Sequence, residues 1–438
     1  MKKIQKTGEN LLISKTKKYW KYNKDESPRM HLLHRGEDMG IIIDAKEHYK
    51  RNLVAEEFTE LDECPTDIQN IGWTLGNDCP YRCKHCYSMS ARERGQNLSE
   101  DIILRVISQL KKLNIKTINL GGNEPLFTNG INPKDSLLPF IIDCLKDSGV
   151  SVGLTTSGIT ALYLEKNFNK AFRELNDIDI SLDSPYESEH NENRGNKIFK
   201  LAIETLQLCK AYNKECTIIM CAMDWNFTDD RLIALVNLAK EYNANIRINP
   251  IKPVESKHMQ HNLSIEQYYD GFSLLMKLCN NLDLTEPILA GISDYQASKR
   301  CPCGRKSFRI HSITPDGKIP ISPCVYLHDY KVGDLLVDDI QDLISSEPFK
   351  VFRRRNRYPE KISGCADCEL INICGGGCAA RAYLYNVHTT GQRALFVKDP
   401  LCPKGLTHDF EFEKDPHIIS GVNLVHKDYL CTWIGRPK

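Results

Sequence analysis

The chain has 438 residues, a formal net charge of +1 at pH 7 and 26% charged residues, which is the composition of an ordinary globular protein with two or three domains. This near-neutral balance gives no general argument for nucleic acid or an anionic membrane as a partner. No apolar run approaches the roughly 18 residues that a membrane helix requires, and the basic N-terminus lacks the apolar segment of a secretory signal. The expected location is therefore the cytoplasm.

The chain contains eighteen cysteines, which is a high count for a protein without a secretion signal. Disulfides are disfavoured in a reducing compartment, so clustered thiols are interpreted first as metal ligands. Two clusters stand out, one near residue 80 and one in the last third of the chain. Zinc and iron–sulfur clusters both remain open at this point.

In chain order, residues 1–65 are polar and weakly patterned and are interpreted as an N-terminal extension. Six β-rich runs then alternate with amphipathic helical segments, which predicts βαβ units and a parallel sheet. The predicted strands cover 70–76, 116–122, 150–158, 177–184, 216–223 and 245–251. Ligands of such sheets bind at the carboxyl ends of the strands, so the residues that follow each strand are the first candidates for a site.

The first cysteine cluster follows the first predicted strand directly. Cys79, Cys83 and Cys86 have the spacing C-x3-C-x2-C. A structural zinc site requires four ligands, whereas three thiolates on a four-iron cluster leave one iron open to a small molecule. His85 lies between two of these cysteines and is expected to face solvent rather than to serve as a fourth ligand.

With this motif the sequence resembles the radical SAM superfamily, in which an aromatic or apolar residue follows the third cysteine, as Tyr87 does here. The second strand is followed by a further match, the Gly-Gly-x-Glu-Pro element at Gly121, Gly122 and Glu124. The resemblance implies a partial (β/α)6 TIM-like barrel of the α/β class. It also implies that the three cysteines hold a 4Fe–4S cluster whose open iron chelates S-adenosylmethionine. Glu124 is then expected to accept from the ammonium group of that cofactor, and Tyr87 to lie near its adenine.

Polar residues at the ends of the later strands extend this expected cofactor site. Ser157, Ser181 and Asp183 offer hydroxyl and carboxylate groups that suit a ribose, although Ser and Asp are equally common as helix N-caps. By resemblance, Arg194 in the segment HNENRG is expected to pair with the cofactor carboxylate. Asn226 is a weaker candidate for the same site.

The second cysteine cluster resembles the SPASM extension found behind radical SAM barrels. The stretch GCADCELINICGGGC has the matching spacing C-x2-C-x5-C-x3-C, and six residues instead of four separate Gly317 from Cys324, which predicts a longer hairpin. The cysteines of this region are Cys301, Cys303, Cys324, Cys365, Cys368, Cys374, Cys378 and Cys402. A zinc ribbon is the alternative interpretation.

The SPASM resemblance implies two auxiliary 4Fe–4S clusters, and so three clusters in all. The outer one is expected on Cys365, Cys368, Cys374 and Cys402. The inner one is expected on Cys378, Cys324 and one or both of Cys301 and Cys303, whose spacing is tight for two ligands of one cluster. Gly375–Gly377 is interpreted as flexible backbone that lets Cys378 turn to the other side.

Seven cysteines lie outside the motifs, and most are interpreted as inert buried thiols. They are Cys64, Cys144, Cys209, Cys216, Cys221, Cys279 and Cys431. Cys64 is the exception, because it lies on the approach to the barrel. The predicted domains are therefore 1–65 (N-terminal extension), 66–290 (barrel), 291–410 (SPASM domain, small and of the α+β class) and 411–438 (C-terminal tail).

The function implied by the resemblance is reductive cleavage of S-adenosylmethionine to a 5′-deoxyadenosyl radical, followed by oxidative crosslinking or other maturation of a ribosomally made peptide. The expected partners are a short precursor peptide and a low-potential electron donor such as flavodoxin or ferredoxin. The run from Cys374 to Cys402 also resembles enzymes that oxidise tetrapyrrole side chains, which is the alternative substrate class. A non-catalytic electron carrier is a third hypothesis, and the predicted cofactor pocket argues against it. The sequence names no general acid or base.

Overall fold

A computed structural model describes residues 2–6, 9–13, 18–23, 31–34, 68–93, 95–293, 300–404 and 416–438. The chain divides into two compact units, Met1–Thr66 and Asp67–Lys438. The smaller unit contains an antiparallel sheet of four strands in chain order. These strands are β1 (Lys2–Lys6), β2 (Glu9–Ile13), β3 (Lys18–Asn23) and β4 (His31–His34). Cys64 lies outside the described residues.

The larger unit is built on six parallel strands, each hydrogen-bonded to the next along the chain. They are β5 (Asn70–Trp73), β6 (Thr117–Leu120), β7 (Ser151–Thr156), β8 (Asp177–Ser181), β9 (Glu215–Ala222) and β10 (Asn245–Pro250). Each strand coincides with one of the six predicted runs. The sheet does not close on itself, so the predicted partial (β/α)6 barrel is confirmed.

Seven helices connect these strands, as the parallel direction of the strands requires. They are α1 (Glu100–Leu110), α2 (Leu138–Asp147), α3 (Ile159–Asn167), α4 (Asn169–Glu174), α5 (Glu187–Arg194), α6 (Phe199–Ala211) and α7 (Asp229–Glu241). Helix α1 shows why the sequence forms them. The Ser99 hydroxyl caps its first turn by accepting from the Ile102 amide, and Ile103, Val106 and Ile107 form a buried stripe at helical spacing.

After the barrel, α8 (Ile265–Leu278) leads to β11 (Cys279–Leu284) and the short α9 (Pro287–Ile292). A capping box between Ser264 and Gln267 fixes the start of α8. The cysteine-rich region then contributes β12 (Ser307–Ile310), β13 (Ile321–Ser322), α10 (Ile340–Ile344), α11 (Glu347–Arg357), α12 (Ile371–Cys374) and α13 (Ala379–Thr390). Strand β12 pairs in parallel with β5, so this region continues the barrel sheet at one edge.

The C-terminal residues are part of the same sheet rather than a separate tail. Strand β14 (Trp433–Pro437) lies between β10 and β11, antiparallel to both. The preceding segment contacts the barrel interior near the amino ends of the strands, where the Val425 carbonyl accepts from Thr117 and its amide donates to Asp177. Among the described residues, no helix is both long and apolar enough to cross a membrane.

Candidate functional site

A cavity of about 190 Å³ lies at the carboxyl ends of the barrel strands. It brings together residues at or after the ends of all six barrel strands, as the shared edge of a parallel sheet requires, and further residues from the C-terminal part of the chain. Nine of the predicted cofactor residues line it: Cys79, Cys83, Cys86, Tyr87, Gly122, Glu124, Ser157, Ser181 and Arg194. Gly121 and Asp183 are not part of its wall.

The first cysteine loop forms one end of this cavity, and two arginines lie against its thiols. Arg92 Nη2 is 3.2 Å from Cys86 Sγ, and Arg194 Nη1 is 4.0 Å from Cys83 Sγ. Burial raises the pKa of the Cys83 thiol to about 11, against the opposing effect of Arg194. A buried thiol of this kind becomes a thiolate when it coordinates a metal. The loop therefore fits a thiolate-ligated iron cluster, whose negative charge the two guanidinium groups would offset.

His85 does not face solvent, contrary to the sequence-based expectation. Its Nδ1 is 3.0 Å from Asn193 Nδ2, and its Nε2 is 3.7 Å from Asp183 Oδ2. Burial lowers the pKa of His85 to about 4. The imidazole is therefore neutral at pH 7, and it lines the cavity beside the cysteine loop.

Glu124 is held at the cavity wall by four hydrogen bonds to the end of β7 and the start of α3. Its Oε2 accepts from the Ser157 amide at 3.0 Å and the Ser157 hydroxyl at 2.6 Å, and its Oε1 accepts from the Thr156 and Thr160 hydroxyls. Ser157, expected at a ribose, is therefore also a support for this carboxylate. Since all the donors are neutral, the negative charge of Glu124 stays available to a cation in the cavity.

The Gly-Gly pair lies against an arginine from the cysteine-rich region. Gly122 has φ +102°, and a Cβ there would lie 2.1 Å from Arg309 Nη2 and 2.5 Å from Thr74 Oγ1. Arg309 is buried and donates to the Gly121 carbonyl. Only glycine combines this backbone angle with so close an approach, so the cysteine-rich region contacts the barrel at the predicted cofactor loop.

Asp183 and Arg194 pair with each other rather than each presenting a free charge. Asp183 is fully buried, and its Oδ2 accepts from Arg194 Nε at 2.6 Å and from Asn193 Nδ2 at 2.9 Å. Burial alone would raise the pKa of Asp183, but Arg194 holds it well below its usual value. Asp183 thus lies behind the cavity wall and orients Arg194, which does line the cavity.

Two further predicted residues have different placements. The Asn226 amide is fully buried, donates to the Asp183 and Cys221 carbonyls and accepts from the Met223 amide, so it braces the strand ends and is not part of the cavity wall. The Tyr87 ring lies edge-on to Tyr326 at 5.0 Å, and both rings line the cavity.

A buried charged network lies deeper in the barrel. Asp179 Oδ2 is 2.8 Å from Arg247 Nη1 and 2.7 Å from His426 Nδ1, and Asp177 lies close by. Burial would raise the pKa of Asp179, but His426 and Arg247 hold it below its usual value. Because Arg247 already balances this carboxylate, the group is best understood as the anchor of the C-terminal segment in the barrel.

This anchor predicts a specific pH dependence of stability. Burial lowers the pKa of His426 to about 4, whereas an unfolded histidine titrates near about 6.5. The stabilisation of the folded state by neutral His426 is therefore complete above about pH 6.5. As the pH falls toward 4 this stabilisation is lost, and the free energy of unfolding decreases by at most about 1.4 kcal/mol per pH unit. Thermal unfolding of the loaded protein between pH 7.5 and 5 is expected to show a steeper loss of Tm than unfolding of His426→Gln. Equal slopes for the two proteins would contradict this assignment.

The second group of cysteines divides into two sets. Four thiols surround a cavity of about 310 Å³, and they are the four expected on the outer cluster: Cys365, Cys368, Cys374 and Cys402. Burial raises the pKa of Cys374 to about 12, so this thiol requires a metal to become a thiolate at neutral pH. Cys378 does not line this cavity.

The three glycines between Cys374 and Cys378 have a fixed shape rather than the flexible one expected. Gly375, Gly376 and Gly377 all have positive φ, between 56° and 82°. The buried Arg355 donates to the Gly376 carbonyl at 2.7 Å and to the Gly377 carbonyl at 3.2 Å. The turn carries the chain from the outer set to Cys378, the N-cap of α13.

Cys378 lies with the remaining thiols in a separate buried cluster. This set, called the inner thiols below, contains Cys301, Cys303, Cys324, Cys378 and Cys431. The first four were predicted together. Cys431 was interpreted as an inert thiol outside the motifs, and the structure places it within the set.

Several cavity residues were missed by sequence reasoning. They are Lys252, Arg247, Arg309, Tyr326, His426 and Tyr429. Lys252 is buried, and its ammonium has no hydrogen-bond partner among the described residues. Of these residues, only Lys252 could have been found from the sequence, because it closely follows the last barrel strand.

Two family models match the chain. The model of the Radical SAM superfamily matches residues 73–239, and that of SPASM, an iron–sulfur cluster-binding domain, matches residues 301–369. The first range contains the Cys79–Cys86 loop. The second contains five of the eight motif cysteines of the C-terminal region.

Curated relatives match most of the chain at low identity. The mycofactocin maturase MftC of Mycolicibacterium smegmatis is 24% identical over 352 residues, which cover 76% of this chain and 82% of that protein. The GTP 3′,8-cyclase of Clostridium perfringens is 25% identical over 321 residues, covering 68% of this chain and 93% of that protein.

Solved structures show the same fold. SuiB of Streptococcus suis, bound to its precursor peptide SuiA, superposes with a TM-score of 0.54 at 15% identity, and the match covers 84% of each chain. The protein anSMEcpe, with bound AdoMet and the Cp18Cys peptide, gives a TM-score of 0.57 at 14% identity and covers 77% of this chain and 94% of that one.

Proposed function

The chain belongs to the radical SAM superfamily and carries a SPASM iron–sulfur domain, and on this premise we propose that it oxidatively matures a ribosomally made precursor peptide. It is an S-adenosylmethionine-dependent iron–sulfur enzyme. What we propose is that the substrate is a peptide, how many iron–sulfur clusters the enzyme holds and which class of protein donates the electron. For the donor we propose a flavodoxin or ferredoxin, since the first cluster must be reduced at low potential.

The observation that carries the proposal is the position of one cavity between two thiol sets. Cys79, Cys83 and Cys86 form one end of it, while Tyr326 and Leu430, each within two residues of an inner thiol in the sequence, line it as well. A substrate bound there would lie between a radical source and an electron acceptor. A simple electron carrier needs no such space.

The donor sets support three clusters. The first loop offers three thiols, the outer set four around one cavity, and the inner set five in one buried cluster. Ligand sets that consist of thiols alone are typical of iron–sulfur clusters or of zinc. The three-thiol loop, which leaves one coordination position for the cofactor, favours iron–sulfur.

The chain's own residues would bind and orient the cofactor. Glu124 is placed to accept from its ammonium, and Arg194, fixed by Asp183, to pair with its carboxylate. The chemistry that the bound cluster and cofactor would supply is one-electron reductive cleavage of S-adenosylmethionine and removal of a hydrogen atom from the substrate. The inner thiols would hold an auxiliary cluster, which would take up the electron left on the substrate and so make the net change a two-electron oxidation.

The choice of a peptide as substrate is supported by the relatives. The MftC proteins are named as maturases, and SuiB and anSMEcpe were solved with peptides bound. Their identities to this chain lie between 14% and 24%, so the substrate rests on analogy with them.

The test is co-expression of the enzyme with a short peptide encoded beside its gene, followed by mass spectrometry of the peptide. We expect a product that has lost two hydrogen atoms for each oxidation, and an unmodified peptide when Cys83→Ala replaces the wild type. Oxidation of a tetrapyrrole side chain by the reduced enzyme, with the peptide unmodified, would instead support the alternative substrate class.

A further inference from the structure

The five inner thiols are one more than a four-iron cluster binds. All five are buried, with exposures between 1% and 4%, and they pack together within one apolar cluster that includes Tyr326 and Phe352. Four of them belong to the SPASM pattern. The fifth, Cys431, comes from the C-terminal segment, more than fifty residues beyond Cys378.

Cys431 packs with the pattern thiols. It lies in the same buried cluster as Cys301 and Cys378. Cys303 and Cys324 belong to that cluster as well. Cys431 is therefore surrounded by the expected ligands of the inner cluster.

The backbone on both sides of Cys431 is fixed. The Tyr429 carbonyl accepts from the Ser307 hydroxyl at 2.7 Å, and the Thr432 carbonyl accepts from the Thr285 amide at 3.0 Å. Strand β14 then continues into the sheet. The thiol is held toward the inner set by the fold and does not reach it through a mobile terminus.

A contact between two thiols is not enough by itself to indicate a ligand. Cys209 and Cys216 are also buried together, but both belong to the main hydrophobic core and not to the cluster of the inner thiols. Cys431 differs because its neighbours are themselves the expected ligands of a cluster. The irons of a cluster are held by four thiolates. Two cysteines separated by a single residue, such as Cys301 and Cys303, are a strained way to provide two of these four ligands.

We propose that Cys431 is a ligand of the inner auxiliary cluster, together with Cys324, Cys378 and one thiol of the Cys301–Cys303 pair. This inference rests on the three-cluster form of the proposed function. Its consequence is an inner cluster with no open iron, which serves as an electron acceptor and not as a binding site for substrate. The C-terminal segment is then part of the cofactor site.

The test measures iron in Cys431→Ala after anaerobic reconstitution. We expect about eight iron atoms per chain in place of about twelve, because only the four of the inner cluster are lost. Adding Cys378→Ala should remove no more iron, whereas adding Cys374→Ala should remove about four more. Cys279→Ala, another buried thiol, is the matched control and should keep the full content. Retention of all the iron in Cys431→Ala, with an unchanged electron paramagnetic resonance spectrum, would overturn the proposal.

A measurement that leaves Cys431 in place covers the case in which Cys431→Ala does not fold. In a Cys83→Ala/Cys374→Ala background, only the inner cluster remains, and imidazole is added as an external ligand. We expect no change in its resonance spectrum, since no iron is open; a shift would overturn the proposal. If that background binds no iron at all while the wild type still cleaves S-adenosylmethionine, the three-cluster assignment fails and the radical chemistry stands.

Discussion

Cys83→Ala is expected to form no detectable 5′-deoxyadenosine from S-adenosylmethionine under reducing conditions. The thiol is one of only three in the first loop, and it is buried at the end of the cavity beside Arg194. Two thiolates do not hold a four-iron cluster, so iron should fall from about twelve to about eight per chain. Chromatography of the reaction mixture and an iron assay measure the two effects.

The control for this variant is Cys279→Ser, a buried thiol on β11 that is distant in sequence from the cysteine motifs. It should retain both iron and cofactor cleavage. Continued formation of 5′-deoxyadenosine by Cys83→Ala would contradict the assignment of the first loop.

One substitution in the outer thiol set and one in the inner set are expected to have additive effects on the iron content. Cys374→Ala and Cys378→Ala should each lose about four iron atoms, and the double variant about eight, because the two residues lie in different sets although only four positions separate them. Both single variants should still cleave S-adenosylmethionine, since the first loop is intact. Neither should release oxidised product at more than a small fraction of the wild-type rate, because the path for the substrate electron is interrupted.

The double variant distinguishes two clusters from one. If GCADCELINICGGGC formed a single four-thiol site, the second substitution would remove no iron beyond the first. The fixed Gly375–Gly377 turn opposes that outcome, because Arg355 holds the chain as it passes from one set to the other.

The parts of the site that the sequence predicts are those that depend on local pattern. The carboxyl ends of parallel strands share one edge, so the sequence alone places Cys79, Glu124, Ser157 and Ser181 together, and all four line the cavity. The resemblance to the SPASM extension implies the grouping of the outer thiols, and the structure places them around one cavity.

The remaining features depend on contacts between residues that are distant in the chain. Arg309 reaches the Gly121 carbonyl across 188 positions, and Cys431 joins the buried cluster of Cys301 from near the C-terminus. Neither Arg309 nor Cys431 belongs to a local sequence motif. The pairing of Asp183 with Arg194 was missed for another reason: each was assigned to the cofactor separately, and spacing alone does not show that two charges neutralise each other.

The same limit explains His85. Its position between two cysteines suggested exposure, but α5 covers it with Asn193. A helix that follows a different strand decides its environment, and no pattern near residue 85 contains that information.

The most direct test of the account is anaerobic reconstitution of the wild-type protein with iron and sulfide, followed by reduction in the presence of S-adenosylmethionine. We predict about twelve iron atoms per chain and formation of 5′-deoxyadenosine. Bound zinc in place of iron, or a reduced iron-loaded protein that leaves S-adenosylmethionine intact, would contradict it.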